Sequence, residues 1–159
     1  MTENTTSIAD FYKALKHSPF VMIGLDDTPD YSAPMTAQID DAVHDALWFF
    51  TSKDNRIAIG GPAMAQFAAK GHDFFACLHG TLIVDNDQAT IDRLWSKQVE
   101  AWFPAGKNDP NLVLLRYDIE NAEMWEADIS MIGMAKMMFG GTIKSEEMGD
   151  HSEMTLRTA

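Results

Sequence analysis

Short runs of apolar residues separated by polar turns dominate this chain, and the pattern predicts mostly β-structure. Several segments are rich in aromatic and branched residues, as strands are. The predicted strands are residues 20–25, 34–39, 44–51, 73–79, 81–84 and 112–117. Residues 47–50 are all apolar, which favours a strand covered on both faces. Gly80 predicts a bulge or bend between two strands, and residues 121–122 predict a turn or bulge.

Helical spacing of apolar residues occurs at fewer places, and these predict helices at the periphery of a sheet. In the first, Ser7 is the candidate N-cap and Phe11 and Leu15 share a face. The predicted helices are residues 6–16, 62–69, 89–99 and the Met-rich stretch 129–139. Because strands and helices do not alternate regularly, a small antiparallel barrel with peripheral helices is favoured over a doubly wound parallel sheet.

The length of 159 residues fits one domain. We expect that domain to cover residues 1–139, and residues 140–159 to form a polar tail without regular structure. The hydrophobic fraction of 46% is enough for a packed core.

Charge, hydropathy and cysteine content bear on the partners and on the cellular location of the protein. The formal net charge of −12 disfavours binding to nucleic acid or to an anionic membrane surface. No apolar run approaches the roughly 20 residues that span a bilayer, and the N-terminus does not resemble a signal peptide. Cys77 is the single cysteine, which fits a reducing compartment. Together these features predict a cytoplasmic protein.

The sequence contains no familiar catalytic or metal-binding motif. The five histidines form no HxH, HExxH or CxxC-like spacing, so we expect no metal site. Paired carboxylates such as Asp26–Asp27 lie in turns. No residue is therefore assigned as a catalytic acid, base or nucleophile.

Two segments offer candidate binding chemistry. The first, residues 49–56, passes from an apolar strand into hydroxyl, ammonium and guanidinium groups, a combination that can hold a phosphate, although a solvated loop is the simpler alternative. The second places Trp102 and Phe103 beside Pro104. These two aromatic rings can line a pocket or an interface, or they can form a local plug over the barrel.

At these segments the chain resembles the general-stress-protein branch of the pyridoxamine 5′-phosphate oxidase-like flavoproteins. The order and spacing of the matching stretches agree over about residues 8–139. The stretches are APMT (33–36), LWFFTSK (47–53), GT (80–81), LW (94–95), AWFP (101–104), DPNLVLLR (109–116) and AEMW (122–125).

The resemblance implies a six-stranded antiparallel split β-barrel of Greek-key order with peripheral helices. It also implies a homodimer that binds FMN, or FAD in some members, in clefts between the subunits. The loop after the third strand would hold the phosphate, and the second strand would run beside the flavin ring. By position, the implied cofactor-binding residues are Met35, Thr36, Phe50, Thr51, Ser52, Lys53, Arg56 and Trp102. A stress-associated flavin-dependent oxidoreductase is the implied function.

Two positions depart from the family pattern and support a second hypothesis. Ala33 stands where the family often has Arg, and Ile57 stands where it often has Lys. Each missing cation removes a charge-assisted contact worth roughly 1.5–3 kcal/mol. The alternative is therefore a non-enzymatic dimeric split-barrel module with weak or lost flavin affinity.

Overall fold

The computed structural model describes residues 7–127, 136–141 and 150–157. Its strands are β1 (Phe20–Leu25), β2 (Ala33–Thr36), β3 (Ala46–Ser52), β4 (Gly61–Ala68), β5 (Phe74–Val84), β6 (Leu112–Glu126) and β7 (Asp150–Thr155). Its helices are α1 (Ile8–His17), α2 (Gln88–Leu94) and α3 (Lys97–Trp102), with a 3-10 turn at Gly106–Asn108. Residues 136–139 are also helical.

All of the paired strands are antiparallel, and they form one sheet in the order β2-β1-β4-β5-β6-β3. Gln38, just after β2, and Trp48 in β3 exchange backbone hydrogen bonds of 2.7 and 3.1 Å. This bridge joins the two edges of the sheet and closes it into a barrel. The predicted fold class, a mainly β antiparallel barrel with peripheral helices, is therefore confirmed.

The barrel core and the helices explain why β3 is apolar on both faces. Leu47 and Phe49 point into the main core, where α1 contributes Phe11 and Leu15. Trp48 points outwards into a second cluster with Ile91 of α2. α1 begins at a capping box formed by Ser7 and Asp10, and its amphipathic face covers the barrel.

The predicted helix at residues 62–69 is wrong, because this segment is strand β4. Ala63, Ala65 and Phe67 are buried while the residues between them are exposed, which is the two-residue period of a strand. Alanine-rich composition favours a helix locally, but β4 pairs with both β1 and β5. These long-range hydrogen bonds override the weak local preference.

Other element boundaries also differ from prediction; for example, the strand predicted at residues 34–39 is Ala33–Thr36. The strands predicted on either side of Gly80 are one strand, β5, whose register shifts between His79 and Gly80 as the bulge predicts. The sequence predicts a turn or bulge at residues 121–122; β6 continues through them without a turn, and its extra residue at the register shift is the adjacent Glu120, between Ile119 and Asn121. The predicted helix 89–99 is two helices, since Ser96 caps a new helix.

Part of the predicted polar tail is ordered. β7 pairs with residues Asn121–Glu126 of β6, so the expectation of a tail without regular structure is wrong for residues 150–155. Beyond β7, Arg157 lies 3.0 Å from Asp45 and 3.2 Å from buried Asp118. Most of the predicted Met-rich helix lies outside the described residues. Among the residues that the structure describes, no helix is long and apolar enough to cross a lipid bilayer.

Candidate functional site

A cleft of about 740 Å³ opens where β3 ends, between β2 on one side and α3 on the other. This volume lies within the range typical of small-molecule and cofactor sites. Seven of the eight predicted site residues line it, namely Met35, Thr36, Phe50, Thr51, Ser52, Lys53 and Trp102. The structure thus brings together residues from three separate parts of the chain.

The wall from β2 combines one apolar and one polar side chain. Met35 is half-buried and packs against the main core, whereas Thr36 is exposed. The side-chain amide of Asn55 approaches the Met35 sulfur at 3.9 Å, which links this wall to the loop after β3. On this wall the cleft therefore has an apolar side chain, Met35, that is packed against the core, and a hydrogen-bonding side chain, Thr36, that is exposed.

The loop after β3 is held by its own polar groups. The Lys53 amide donates to the Asn111 carbonyl at 2.9 Å. Lys53 is exposed and lines the cleft. The Asn55 side chain accepts from the amide of Ile57 at 3.0 Å. The Ser52 hydroxyl donates to the carboxylate of Asp54. Hydroxyl, ammonium and carboxylate groups therefore stand side by side.

The charge balance of the cleft is negative. Lys53 supplies one positive charge, whereas Asp54 and Asp109 supply two negative charges, so the lining sums to −1 within the part of the chain that the structure describes. Asp109 also accepts from the Asn111 amide at 2.9 Å. A phosphate bound here would gain from Lys53 and would be repelled by both carboxylates.

Arg56 is the predicted site residue that the structure does not bring to the cleft. Its side chain is exposed on the turn, but it is not part of the lining. The neighbouring Ile57 is 3% exposed and packs in the main core. Position 57 therefore points into the core. The replacement of the family's Lys by Ile57 removes no group that faces this cleft.

The adjacent aromatic residues have different surroundings. Phe103 is half-buried in the second cluster, with its ring centroid 6.2 Å from that of Trp95, which also contacts Phe50 at 5.5 Å. Trp102 is 80% exposed at the cleft. Both rings thus line the cleft, as the pocket alternative predicts: Phe103 is anchored in the second cluster, and Trp102 leaves its indole exposed.

Sequence reasoning did not assign some lining residues. Gln98 and Val99 come from α3, and Asp109 and Asn111 precede β6. Asp109 and Asn111 belong to the DPNLVLLR stretch, and membership of this family motif is the sequence feature that could have identified them as lining residues. Their meeting with the loop after β3 follows from the pairing of Ser52 with Leu112.

The closed antiparallel sheet with a cleft at the end of β3 defines the split-barrel class of proteins. The family model described as pyridoxamine 5′-phosphate oxidase like matches residues 6–148. The chain therefore belongs to the pyridoxamine 5′-phosphate oxidase-like family, in its general-stress-protein branch.

Individual relatives agree with this assignment. The general stress FMN/FAD binding protein of Xanthomonas citri is 46% identical, with a TM-score of 0.71 over 76% of this chain and 89% of that one. A candidate general stress protein 26 of Jannaschia sp. CCS1 is 26% identical, with a TM-score of 0.76 over 92% and 96%. General stress protein 26 of Bacillus subtilis (strain 168) is 34% identical over 55 residues, which are 35% of this chain and 39% of that protein.

Proposed function

We propose that this protein binds a flavin nucleotide, FMN in the first instance, in the cleft at the end of β3. The observation that carries the proposal is that one cleft collects the hydroxyl and ammonium groups of Ser52 and Lys53 together with the exposed indole of Trp102. A flavin mononucleotide needs a phosphate-binding end and a flat apolar surface for its ring. The Xanthomonas citri relative, which is named as an FMN/FAD binding protein, supports the same ligand class.

The donors divide naturally between the two ends of such a ligand. Thr51, Ser52 and Lys53 would hold the phosphate, because hydroxyl and ammonium groups make strong contacts with phosphate oxygens. Met35 and Trp102 would contact the ring, since thioether and indole groups pack well on flat aromatic surfaces. FAD carries the same flavin ring and about the same total phosphate charge, so it stays the alternative ligand of this cleft.

We further propose that the working unit is a homodimer located in the cytoplasm. An indole that is 80% exposed gains little in a monomer, so we expect Trp102 to contact a second copy of the chain. Phe20 and Met22 also leave apolar surface exposed on the outer side of β1, at 57% and 42%. The single cysteine and the absence of paired thiols fit a reducing compartment.

A bound flavin would supply the redox chemistry of an oxidoreductase, and the protein would supply orientation and electrostatics. We assign no catalytic acid or base. The second candidate is a dimeric binding module without flavin, and the two carboxylates that line the cleft are the observation in its favour.

The deciding experiment is a titration of FMN into the purified full-length protein, followed by quenching of flavin fluorescence, with sedimentation of the same samples. Saturable quenching with one FMN per chain in a dimer would support the proposal. Riboflavin, which lacks the phosphate, is the matched ligand for the ring contacts alone. A protein that quenches neither ligand would favour the module without flavin.

A further inference from the structure

Three polar side chains that do not line the cleft meet on one face of the β6–β7 ladder. They are Glu123, His151 and Glu153, and each offers a ligand atom within 4.8 Å of the other two. His151 Nε2 lies 2.7 Å from Glu123 Oε1. Glu123 is directly opposite Glu153 in the ladder, and residues 151 and 153 share a face because side chains alternate along a strand.

The imidazole of this triad is held in place by its neighbours. The Trp125 ring is paired with His151 across the ladder and stacks on it, with centroids 5.3 Å apart and an interplanar angle of 22°. Glu123 belongs to β6, which lies inside the sheet between β5 and β3 and also pairs with β7. The donor atoms are therefore positioned by backbone pairing and ring stacking rather than by flexible loops.

We propose that Glu123, His151 and Glu153 form a binding site for one divalent transition-metal ion of the zinc class. An imidazole nitrogen with two carboxylate oxygens is a donor set that favours zinc and its neighbours over magnesium or calcium. Three protein ligands with solvent access are the arrangement of open zinc sites, where water completes the coordination. Two carboxylates also balance the charge of a divalent ion.

The surroundings leave room for such water. A depression of about 580 Å³ adjoins the triad and is lined by Glu123 and Glu153 together with Cys77 and His79. Cys77 is opposite Glu123 on β5. Burial, and secondarily the charge of Glu123, raises the pKa of the Cys77 thiol. A cation at the triad would neutralise that charge, so the site and the thiol are electrostatically linked.

A metal ion at this site would hold β7 against β6. Glu123 comes from β6, whereas His151 and Glu153 come from β7, so one ion would connect the two strands through side chains in addition to their backbone ladder. A ligand that binds only the folded state stabilises it in proportion to its concentration and affinity. Zinc should therefore protect the β7 amides from hydrogen exchange.

The test is zinc titration by calorimetry into metal-free full-length protein at pH 7.5, with cobalt absorption as a second readout. We expect one ion per chain. His151→Ala and Glu153→Gln should each weaken uptake by more than the roughly 10- to 100-fold loss typical of an outer-sphere partner. His17→Ala is the matched control, because His17 is exposed at the end of α1. Thermal melts without metal would verify that all three variants fold.

Uptake unchanged in His151→Ala, or a stoichiometry of one ion for two chains, would overturn the proposal. The absence of saturable zinc binding would also overturn it and would leave a simple hydrogen-bonded histidine–glutamate pair. None of these outcomes depends on flavin binding.

Discussion

The Ser52 hydroxyl donates a hydrogen bond to the Asp54 carboxylate at the mouth of the candidate flavin cleft. A phosphate that binds beside Ser52 must compete for this hydroxyl and must also approach a negative charge. Lys53, between these two residues, is the one cation that lines the cleft within the part of the chain that the structure describes. Asp54 therefore opposes the same ligand that Lys53 and Ser52 attract.

We expect Asp54→Asn to tighten FMN binding by about tenfold, because removing a unit charge near a phosphate dianion is worth on the order of 1–2 kcal/mol. An asparagine oxygen can still accept from Ser52. Fluorescence titration with FMN and with riboflavin measures the effect, and riboflavin should change little. Asp30→Asn is the control, since Asp30 is exposed and outside the cleft. An equal gain for riboflavin would show that Asp54 does not act on the phosphate.

Lys53→Ala should weaken FMN binding by about ten- to a hundredfold, the range expected for losing one charge-assisted contact. Arg56→Ala removes the same charge from the same turn, but Arg56 does not line the cleft. It should therefore change the affinity by less than roughly twofold, with only the long-range charge effect remaining. Titrations of both variants at matched salt compare them directly. Equal losses would mean that Arg56 contacts the ligand.

Gly80 is required by the close approach of β5 and β6. A Cβ at this position would lie 2.1 Å from the carbonyl oxygen of Asp118, so Gly80→Ala must push the strands apart. We expect the free energy of unfolding to fall by about 2–3 kcal/mol, as for other overpacked sites. Denaturant unfolding measures this value. Gly71→Ala is the control, because its Cβ would meet nothing closer than 3.4 Å, and a similar loss there would contradict the steric explanation.

Tyr12 and Tyr117 should make the protein sensitive to alkaline pH. Both phenols are buried and donate to backbone carbonyls, Tyr12 to Ala46 at 2.9 Å and Tyr117 to Ala63 and Leu78 at 2.9 and 3.0 Å. Burial raises the pKa of each phenol far above its usual range. The unfolded chain ionises these groups near pH 10 and the folded chain does not, so stability is full below about pH 10 and falls above it.

The expected slope is about 1.4 kcal/mol per pH unit for each tyrosine. Urea unfolding between neutral and strongly alkaline pH measures it. The double variant Tyr12→Phe, Tyr117→Phe should be less stable at neutral pH, by about 0.5–1.5 kcal/mol for each phenol–carbonyl hydrogen bond that is lost. It should also lose most of the alkaline slope. Tyr31→Phe, at an 86% exposed residue, should alter neither value.

Local patterns predicted much of this protein because their signals are short-range. The apolar runs of β1 and β3, the N-cap of α1 and the bulge at Gly80 each depend on residues close together in the chain. The family motifs likewise identified seven residues that line one cleft. Such features can be predicted because turn chemistry, capping and alternation act over a few residues.

Tertiary structure decided the features that depend on distant partners. The sequence predicts a helix at residues 62–69, yet pairing with β1 and β5 makes residues 61–68 a strand. Asp109 reaches the cleft only because β3 pairs with β6, and His151 meets Glu123 only because β7 joins that sheet. Backbone hydrogen bonding between remote segments determines which side chains share a surface, and the charge of the cleft and the Glu123–His151–Glu153 cluster both follow from that pairing.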